Sequence, residues 1–261
     1  MTEAAFLNAV GLFLIGMVRI SGFFINLPAF GETTVPNRVK AGLSALTTLL
    51  ILPHLMHTQT LPDLTIFGYA LMGFQELVLG LTVGFVVLIT IDALKFGGEI
   101  MGMQIGFSFV QVVDPESSKS QAVLAEFFQV LMVLLFLIMH GHIILLQAFV
   151  QSFDLIPLAS TQMPPAMIQE MARLTGAIFW LGLQIAMPIV AVMLVSDVSL
   201  GIIARTVPRM NIFQVGFAIK ILLGFAVLIM LLPSISDIMK GLINLMYGQV
   251  NTALNLMAPR H

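Results

Sequence analysis

Five apolar runs dominate this chain, and each is long enough to cross a lipid bilayer as a helix, which takes about 20 residues. Leu, Phe, Met, Ala and Gly fill these runs without the alternation of apolar and polar residues that a lipid-facing barrel strand requires. The runs cover residues 4–30, 64–91, 122–153, 166–195 and 212–232, and a shorter, marginal stretch covers 39–56. The sequence therefore predicts an all-α polytopic membrane protein.

The composition excludes several classes of protein. With 59% hydrophobic and 9% charged residues, the 261-residue chain cannot cover a soluble domain with charged side chains. A net charge of -2 provides no basic field for nucleic acid, and the lack of cysteine removes disulfides and thiolate catalysis. The sequence contains no phosphate-binding loop, serine nucleophile elbow or zinc-protease motif. We therefore expect no enzyme activity, no cofactor and no nucleic-acid partner.

Histidines occur as two close pairs, His54 with His57 and His140 with His142. Neither pair has the neighbouring cysteine or acidic residues that would complete a metal site. We expect hydrogen bonding rather than metal binding at both pairs.

Basic residues alternate between the hydrophilic breaks of the chain. The breaks that contain Lys or Arg are 31–40, 92–121 and 196–211, and those without are 58–63 and 154–165. By the positive-inside rule, the first three breaks lie in the cytoplasm and the N-terminus lies outside.

Prolines in or beside the apolar runs predict kinked and broken helices, because each one frees a carbonyl from helical hydrogen bonding. They are Pro28, Pro53, Pro157, Pro188 and Pro233. After the last of these, residues 234–257 carry apolar residues at helical spacing with polar residues opposite. This segment could lie on the membrane interface, pack on a partner or cross the membrane again.

Three apolar runs carry a charged residue near the middle, namely Arg19, Glu76 and Lys220. A charge at the bilayer centre costs about 3 kcal/mol on insertion scales, so these side chains must face protein or water. We favour ion pairs within the chain or between subunits, which would fix helix register. A proton relay is the alternative.

A glycine-rich segment at 97–113 does not fit a simple helix bundle. Gly98, Gly102 and Gly106 recur every fourth residue and form a bare stripe that permits close backbone approach. β-Branched and aromatic residues follow, and Asp114 with Pro115 ends the segment, which indicates a helix that gives way to a loop. Such a loop could enter a pore, or the segment could be an amphipathic connecting helix on the cytoplasmic surface.

Several motifs resemble those of the FliR family of type III export proteins, and they occur in family order over essentially the whole chain. They are RISGFF at 19–24, PAFG at 28–31, VPNRVKAGL at 35–43, GFSF to DP at 106–115, SQAVLA at 120–125 and NIFQVGFAIKILLG at 211–224. One departure is Ala218, where the family pattern has Pro. The virulence injectisome has a related gate protein. The residues of these motifs resemble the flagellar branch more closely than the injectisome branch.

The resemblance implies a subunit of an export gate in the bacterial inner membrane, at the core of the flagellar basal body and raised toward the periplasm. FliP and FliQ would be its direct partners, FlhB and FlhA would lie nearby, and unfolded export substrates would pass through. Residues 1–165 would form a FliP-like part and 166–261 a FliQ-like part. Neighbouring subunits, rather than lipid alone, would cover much of the apolar surface.

The resemblance also implies a loop that plugs the closed channel. On this chain the plug loop comprises Gly106, Phe107, Ser108, Phe109, Val110, Gln111, Val112, Val113 and Asp114. The rival hypothesis is a proton-coupled transporter that uses Arg19, Glu76 and Lys220 near the midplane.

Overall fold

The computed structural model describes residues 3–27, 35–107, 123–161, 164–207 and 212–259, and all regular structure within them is helical. The predicted all-α class is therefore confirmed. The helices are α1 (Glu3–Ile25), α2 (Asn37–Thr58), α3 (Ile66–Ile105), α4 (Val123–Ile138), α5 (Gly141–Leu155), α6 (Pro165–Thr206) and α7 (Ile212–Met257).

Five of these helices are long and apolar enough to cross a membrane, which confirms the prediction of an integral membrane protein. They are α1, α2, α3, α6 and α7. The stretch at 39–56, marginal in the sequence, is part of α2. The run at 122–153 is instead two helices, because α4 ends before His140, whose left-handed backbone (φ 59°) breaks the run.

The three longest helices are about twice as long as a bilayer requires. α3, α6 and α7 contain 40, 42 and 46 residues. At about 1.5 Å per residue they measure roughly 60–70 Å, against a hydrocarbon core of about 30 Å. Pro188 and Pro233 lie inside α6 and α7 and do not end them, so the segment at 234–257 continues the last apolar run as one helix.

The chain divides into two compact units. Unit 1 comprises Met1–Thr90, His140–Leu174 and Ile243–His261, and unit 2 comprises Ile91–Met139 and Thr175–Leu242. α3, α6 and α7 each contribute residues to both units.

Glycines bring α1 and α3 into backbone contact in unit 1. A Cβ atom added at Gly22 would lie 2.7 Å from the carbonyl oxygen of Leu77, and one added at Gly84 would lie 2.9 Å from that of Phe23. Gly80 lies directly against the Arg19 backbone. Small residues at such positions allow membrane helices to approach closely. The close approach places Arg19 of α1 beside α3.

Gly97 and Gly182 make a similar contact between α3 and α6 in unit 2. A Cβ atom at Gly97 would lie 3.0 Å from the carbonyl oxygen of Gly182. Beside this contact, the rings of Phe96 and Phe179 meet edge to face with centroids 5.1 Å apart. The half of α3 that leads to the glycine-rich segment is thus fixed against α6.

We expect Gly22→Ala to destabilise the protein by about 1–3 kcal/mol, because its Cβ atom would overlap the backbone of Leu77. Gly176→Ala is the matched control, since a Cβ atom there meets nothing within 4 Å and a helical alanine is favoured over glycine by up to about 1 kcal/mol. The midpoint of thermal unfolding in detergent measures both effects. Equal midpoints for the two variants would contradict the packing described for α1 and α3.

Candidate functional site

The glycine-rich segment leaves α3 through a helix-ending turn. Gly106 has a positive φ of 104°, and its N–H donates to the carbonyl oxygens of Gly102 (3.1 Å) and Met103 (3.2 Å). The N–H of Phe107 donates to the carbonyl oxygen of Gly102 at 3.0 Å. This bonding is a Schellman motif, in which glycine supplies the left-handed residue just after the helix. Of the nine residues assigned to the plug loop, Gly106 and Phe107 are described, and residues 108–114 lie outside the described ranges.

The first residues of the predicted plug loop contact α7. The rings of Phe107 and Phe225 meet edge to face, with centroids 6.1 Å apart. Two residues earlier, the side chain of Ile105 fills the space above Gly224, where a Cβ atom would lie 2.6 Å from it. A Cβ atom at Gly106 would lie 3.3 Å from the Phe217 ring. The point at which the chain leaves α3 is therefore held against Phe217, Gly224 and Phe225 of α7.

The three glycines of the predicted stripe have different surroundings. Gly98 lies against α4, where an added Cβ atom would be 3.1 Å from the Cα of Ala125 and 2.9 Å from the Phe128 ring. Gly102 is buried, and its carbonyl oxygen accepts the bonds that end the helix. Gly106 lies beyond the last helical residue. Close packing therefore explains Gly98, whereas backbone conformation explains Gly106.

Arg19 and Glu76 form a buried ion pair between α1 and α3. The Nε atom of Arg19 donates to Oε2 of Glu76 at 2.5 Å, and the side chains are 2% and 0% exposed. A charged pair at this depth persists only when further hydrogen bonds satisfy the remaining donors and acceptors. The structure places these two predicted residues together.

Backbone groups at the end of α5 complete the hydrogen bonding of this pair. Nη1 of Arg19 donates to the carbonyl oxygen of Ser152 at 2.9 Å, and Nη2 donates to that of Ile156 at 3.0 Å. The N–H of Ala159 donates to Oε1 of Glu76 at 3.3 Å. The carbonyl oxygen of Ser152 also accepts from the N–H of Ile156 at 3.1 Å, so Arg19 is its second donor. Carbonyl groups at the end of a helix carry partial negative charge, so a guanidinium suits them.

Side chains around the pair hold the end of α5 in place. The Phe153 ring packs 4.2 Å from the guanidinium carbon of Arg19, a cation–π contact. Gln59 donates to the carbonyl oxygen of Phe153 (2.9 Å) and accepts from the N–H of Leu158 (3.0 Å). Sequence reasoning missed Phe153 and Gln59, because neither side chain is charged and both lie far from Arg19 along the chain.

Lys220 forms a separate pair. Its Nζ atom lies 2.5 Å from Oδ1 of Asp197, and the two side chains are 23% and 47% exposed. Arg19 and Glu76 belong to unit 1 and Lys220 belongs to unit 2. The sequence did not point to Asp197, because it follows the apolar run of α6 rather than lying inside it.

The histidines do not gather metal-binding groups within the part of the chain that the structure describes. Nε2 of His54 lies 2.8 Å from Oδ1 of Asp154, and both side chains are more than two-fifths exposed. The rings of His140 and His142 stack with centroids 6.2 Å apart.

Comparisons with known proteins relate the chain to bacterial export proteins. Residues 10–246 match the family described as bacterial export proteins, family 1. The chain is 34% identical over 228 residues to the flagellar biosynthetic protein FliR of Pectobacterium carotovorum subsp. carotovorum, covering 87% of each chain. It is 29% identical to FliR of Escherichia coli strain K12, over 90% of this chain and 89% of that protein. It is 30% identical to FliR of Bacillus subtilis strain 168, over 94% of each.

We expect Arg19→Met to destabilise the protein by about 3–5 kcal/mol, because it leaves the buried Glu76 carboxylate without its cation. The double variant Arg19→Met with Glu76→Met should be less destabilised than Arg19→Met alone, since no unpaired charge remains. Thermal or chemical unfolding in detergent measures both.

Arg173→Met is the matched control for this experiment. Arg173 pairs with Glu170 on α6, but its side chain is 64% exposed, so its loss should cost less than about 1 kcal/mol. If Arg19→Met were no more destabilising than Arg173→Met, the ion pair would not support unit 1.

Proposed function

Because the chain belongs to the FliR family, the bacterial export proteins of family 1, we propose that it is a structural and gating subunit of the flagellar protein export channel. The family match over residues 10–246 is the observation that carries this proposal. The proposed role is to form part of a conduit rather than to catalyse a reaction.

The exposed apolar surface supports a place within an assembly. Leu222, Ile229 and Met230 on α7 are 71%, 64% and 79% exposed, and Ile202 on α6 is 64% exposed. Lipid or apolar helices of other subunits must cover such side chains. We propose FliP and FliQ as the subunits in direct contact, with FlhB and FlhA nearby.

The lengths of α3, α6 and α7 bear on the proposed location of the protein, which is the inner membrane with part of each helix outside the bilayer. A helix of roughly 60–70 Å extends well beyond a hydrocarbon core of about 30 Å. We propose that the excess of α3, α6 and α7 is raised toward the periplasm, within the core of the basal body.

We further propose that residues 1–165 are the FliP-like part and residues 166–261 the FliQ-like part. The second part begins at the start of α6 and contains two long helices. Within unit 2 these helices meet at Leu200 and Gly216 and are joined by the pair of Lys220 with Asp197. Those contacts support a helical hairpin.

The proposed gating mechanism is steric. The plug loop, Gly106 to Asp114, would occlude the path, and unfolded substrate would displace it. The Schellman turn at Gly106 and the contact of Phe107 with Phe225 support this proposal, because they give the loop a fixed point of attachment. α3 would keep its hydrogen bonds when the loop moves.

The rival function, proton-coupled transport, would use Arg19, Glu76 and Lys220. A carrier site needs groups that gain and lose protons in contact with water. Arg19 and Glu76 are fully buried, and backbone groups complete their hydrogen bonding, which favours a structural role. Neutralising each residue in the purified chain and measuring solute flux would test the rival, which requires that flux is lost.

We expect deletion of residues 107–110 to raise ion leakage through the assembled complex, because the closed path would lose part of its plug. Phe225→Ala should raise leakage less, since it removes only the contact with Phe107. Phe179→Ala is the matched control, because it breaks a similar aromatic pair with Phe96 on another part of α3. Conductance of membranes containing the complex measures all three, and unchanged conductance after the deletion would remove the plug assignment.

We expect affinity-tagged chain to copurify with FliP-like and FliQ-like proteins of its own cell, because its apolar faces require partners. The measurement is mass spectrometry of the complex extracted in mild detergent. Removing the gene for this chain should abolish export of flagellar substrates. A stable monomer, together with normal export in its absence, would contradict the proposed function.

A further inference from the structure

A groove runs between α6 and α7 within unit 2. Its volume is about 520 Å³, and all of its lining residues lie in 191–203 and 219–223, which belong to that unit. We call it the α6–α7 groove. Its walls include Ala191, Val195, Ser199 and Ile203 of α6 and Ile219 and Leu223 of α7.

The surface of the groove is apolar and open to the outside of the unit. Val195 and Ile203 are 66% and 42% exposed. The hydroxyl of Ser199 donates to the carbonyl oxygen of Val195 at 2.8 Å, so its hydrogen-bonding need is met within α6. The hydroxyl of Ser196, at the bottom of the groove, has no partner among the described residues, but it is buried behind the surface that an occupant would contact. The groove therefore suits a hydrocarbon chain.

Contacts between the two helices fix the depth of the groove along α7. Leu200 packs on Gly216, and Asp197 pairs with Lys220, so each step forward on α6 is level with one step back on α7. Ala191 is then level with about residue 225, and Ile203 with about residue 213. The groove thus begins near the edge of the apolar run at 212–232 and extends past its middle.

The length of the groove matches one leaflet of a bilayer. From Ala191 to Ile203 the helix rises by about 18 Å, at about 1.5 Å per residue. Half of the hydrocarbon core measures about 15 Å. A lipid acyl chain that enters at the Ile203 end would therefore be covered along its whole length.

The end of the groove at the membrane surface is cationic. Arg205 lies in the last turn of α6, two residues beyond Ile203, and is exposed. Among the described residues, none forms an ion pair with Arg205. The sequence contains no acidic residue between 198 and 219, and Lys220 offsets the charge of Asp197. The positive-inside rule predicts that this end faces the cytoplasm, where anionic lipid headgroups bind basic residues beside membrane helices.

We propose that the α6–α7 groove binds an acyl chain of an anionic phospholipid, whose phosphate group pairs with Arg205. An apolar helix of another subunit would also fill the groove, but it would leave Arg205 without an anion. The charge at the end of the groove therefore favours the lipid. This site goes beyond the proposed function and does not depend on what the channel carries.

Photoreactive lipids test the site directly. The protein is extracted together with the subunits bound to it and is placed in phosphatidylcholine nanodiscs. One sample contains a trace of phosphatidylglycerol with a diazirine in its acyl chain, and the other contains phosphatidylcholine with the same diazirine chain. After illumination, mass spectrometry measures the labelling of residues 191–203 and 219–223.

We expect the phosphatidylglycerol probe to label the groove about fivefold more than the phosphatidylcholine probe, which is the effect of one basic residue on an anionic lipid. Arg205→Gln should make the two probes label equally, and Arg205→Lys should keep the preference. Ser199→Phe should lower labelling by both probes, because the ring would fill the groove. Val198→Phe is the matched control, since Val198 is 60% exposed and does not line the groove.

Three outcomes would overturn the proposal. Equal labelling of the unaltered protein by both probes would show that the groove does not select an anionic lipid. A preference that survives Arg205→Gln would remove the assigned headgroup contact. An unlabelled groove beside labelled residues elsewhere on α7 would indicate that another subunit fills it.

Export separates this inference from the proposed function. If the groove takes up no anionic lipid but cells that lack the chain fail to export flagellar substrates, only the lipid site is removed. Normal export by cells that lack the chain removes the proposed function and leaves the labelling result unaffected.

Discussion

The Arg19 guanidinium can be buried inside unit 1 only because two other parts of the chain meet it together. α3 supplies the Glu76 carboxylate, and the end of α5 supplies two carbonyl oxygens. Each contact alone would leave most of the cost of removing a cation from water uncompensated. The glycines that bring α1 onto α3 are therefore part of the same arrangement, since bulkier residues would move Arg19 away from Glu76. Helix packing and charge neutralisation in this unit depend on each other.

The sequence predicted the membrane helices and the need of the mid-span charges for partners, because both follow from the cost of polar groups in hydrocarbon. It could not identify the carbonyl oxygens of Ser152 and Ile156 as partners of Arg19, since every residue carries the same backbone groups. The break at His140 was also missed, because His140 itself adopts the left-handed conformation, whereas Gly141, the residue type that usually does so, begins the next helix. Pro233 was expected to kink or end a helix. It does not end α7, which continues through it, as transmembrane helices permit when neighbouring groups satisfy the freed carbonyl.

Glycine has three separate uses in this chain, and only their spacing was visible beforehand. At Gly22 and Gly97 it permits contact between helix backbones, and at Gly106 it permits a left-handed residue after α3. At Gly241 and Gly248 it leaves open space on an exposed face. A repeat of four residues indicates a common helix face but not which of these uses applies, because that depends on what lies opposite.

Exposed side chains of α7 are apolar just before Pro233, as at Ile229 and Met230, and polar just after it, at Ser234 and Asp237. Sliding the chain along the membrane normal by one helical turn, about 5.4 Å, would draw Asp237 toward the acyl chains in one direction and expose apolar side chains such as Met230 to water in the other. Both displacements would cost free energy, so a bilayer that surrounds the apolar residues of α7 would end near Pro233. Any subunit bound firmly to α7 would inherit the same vertical position.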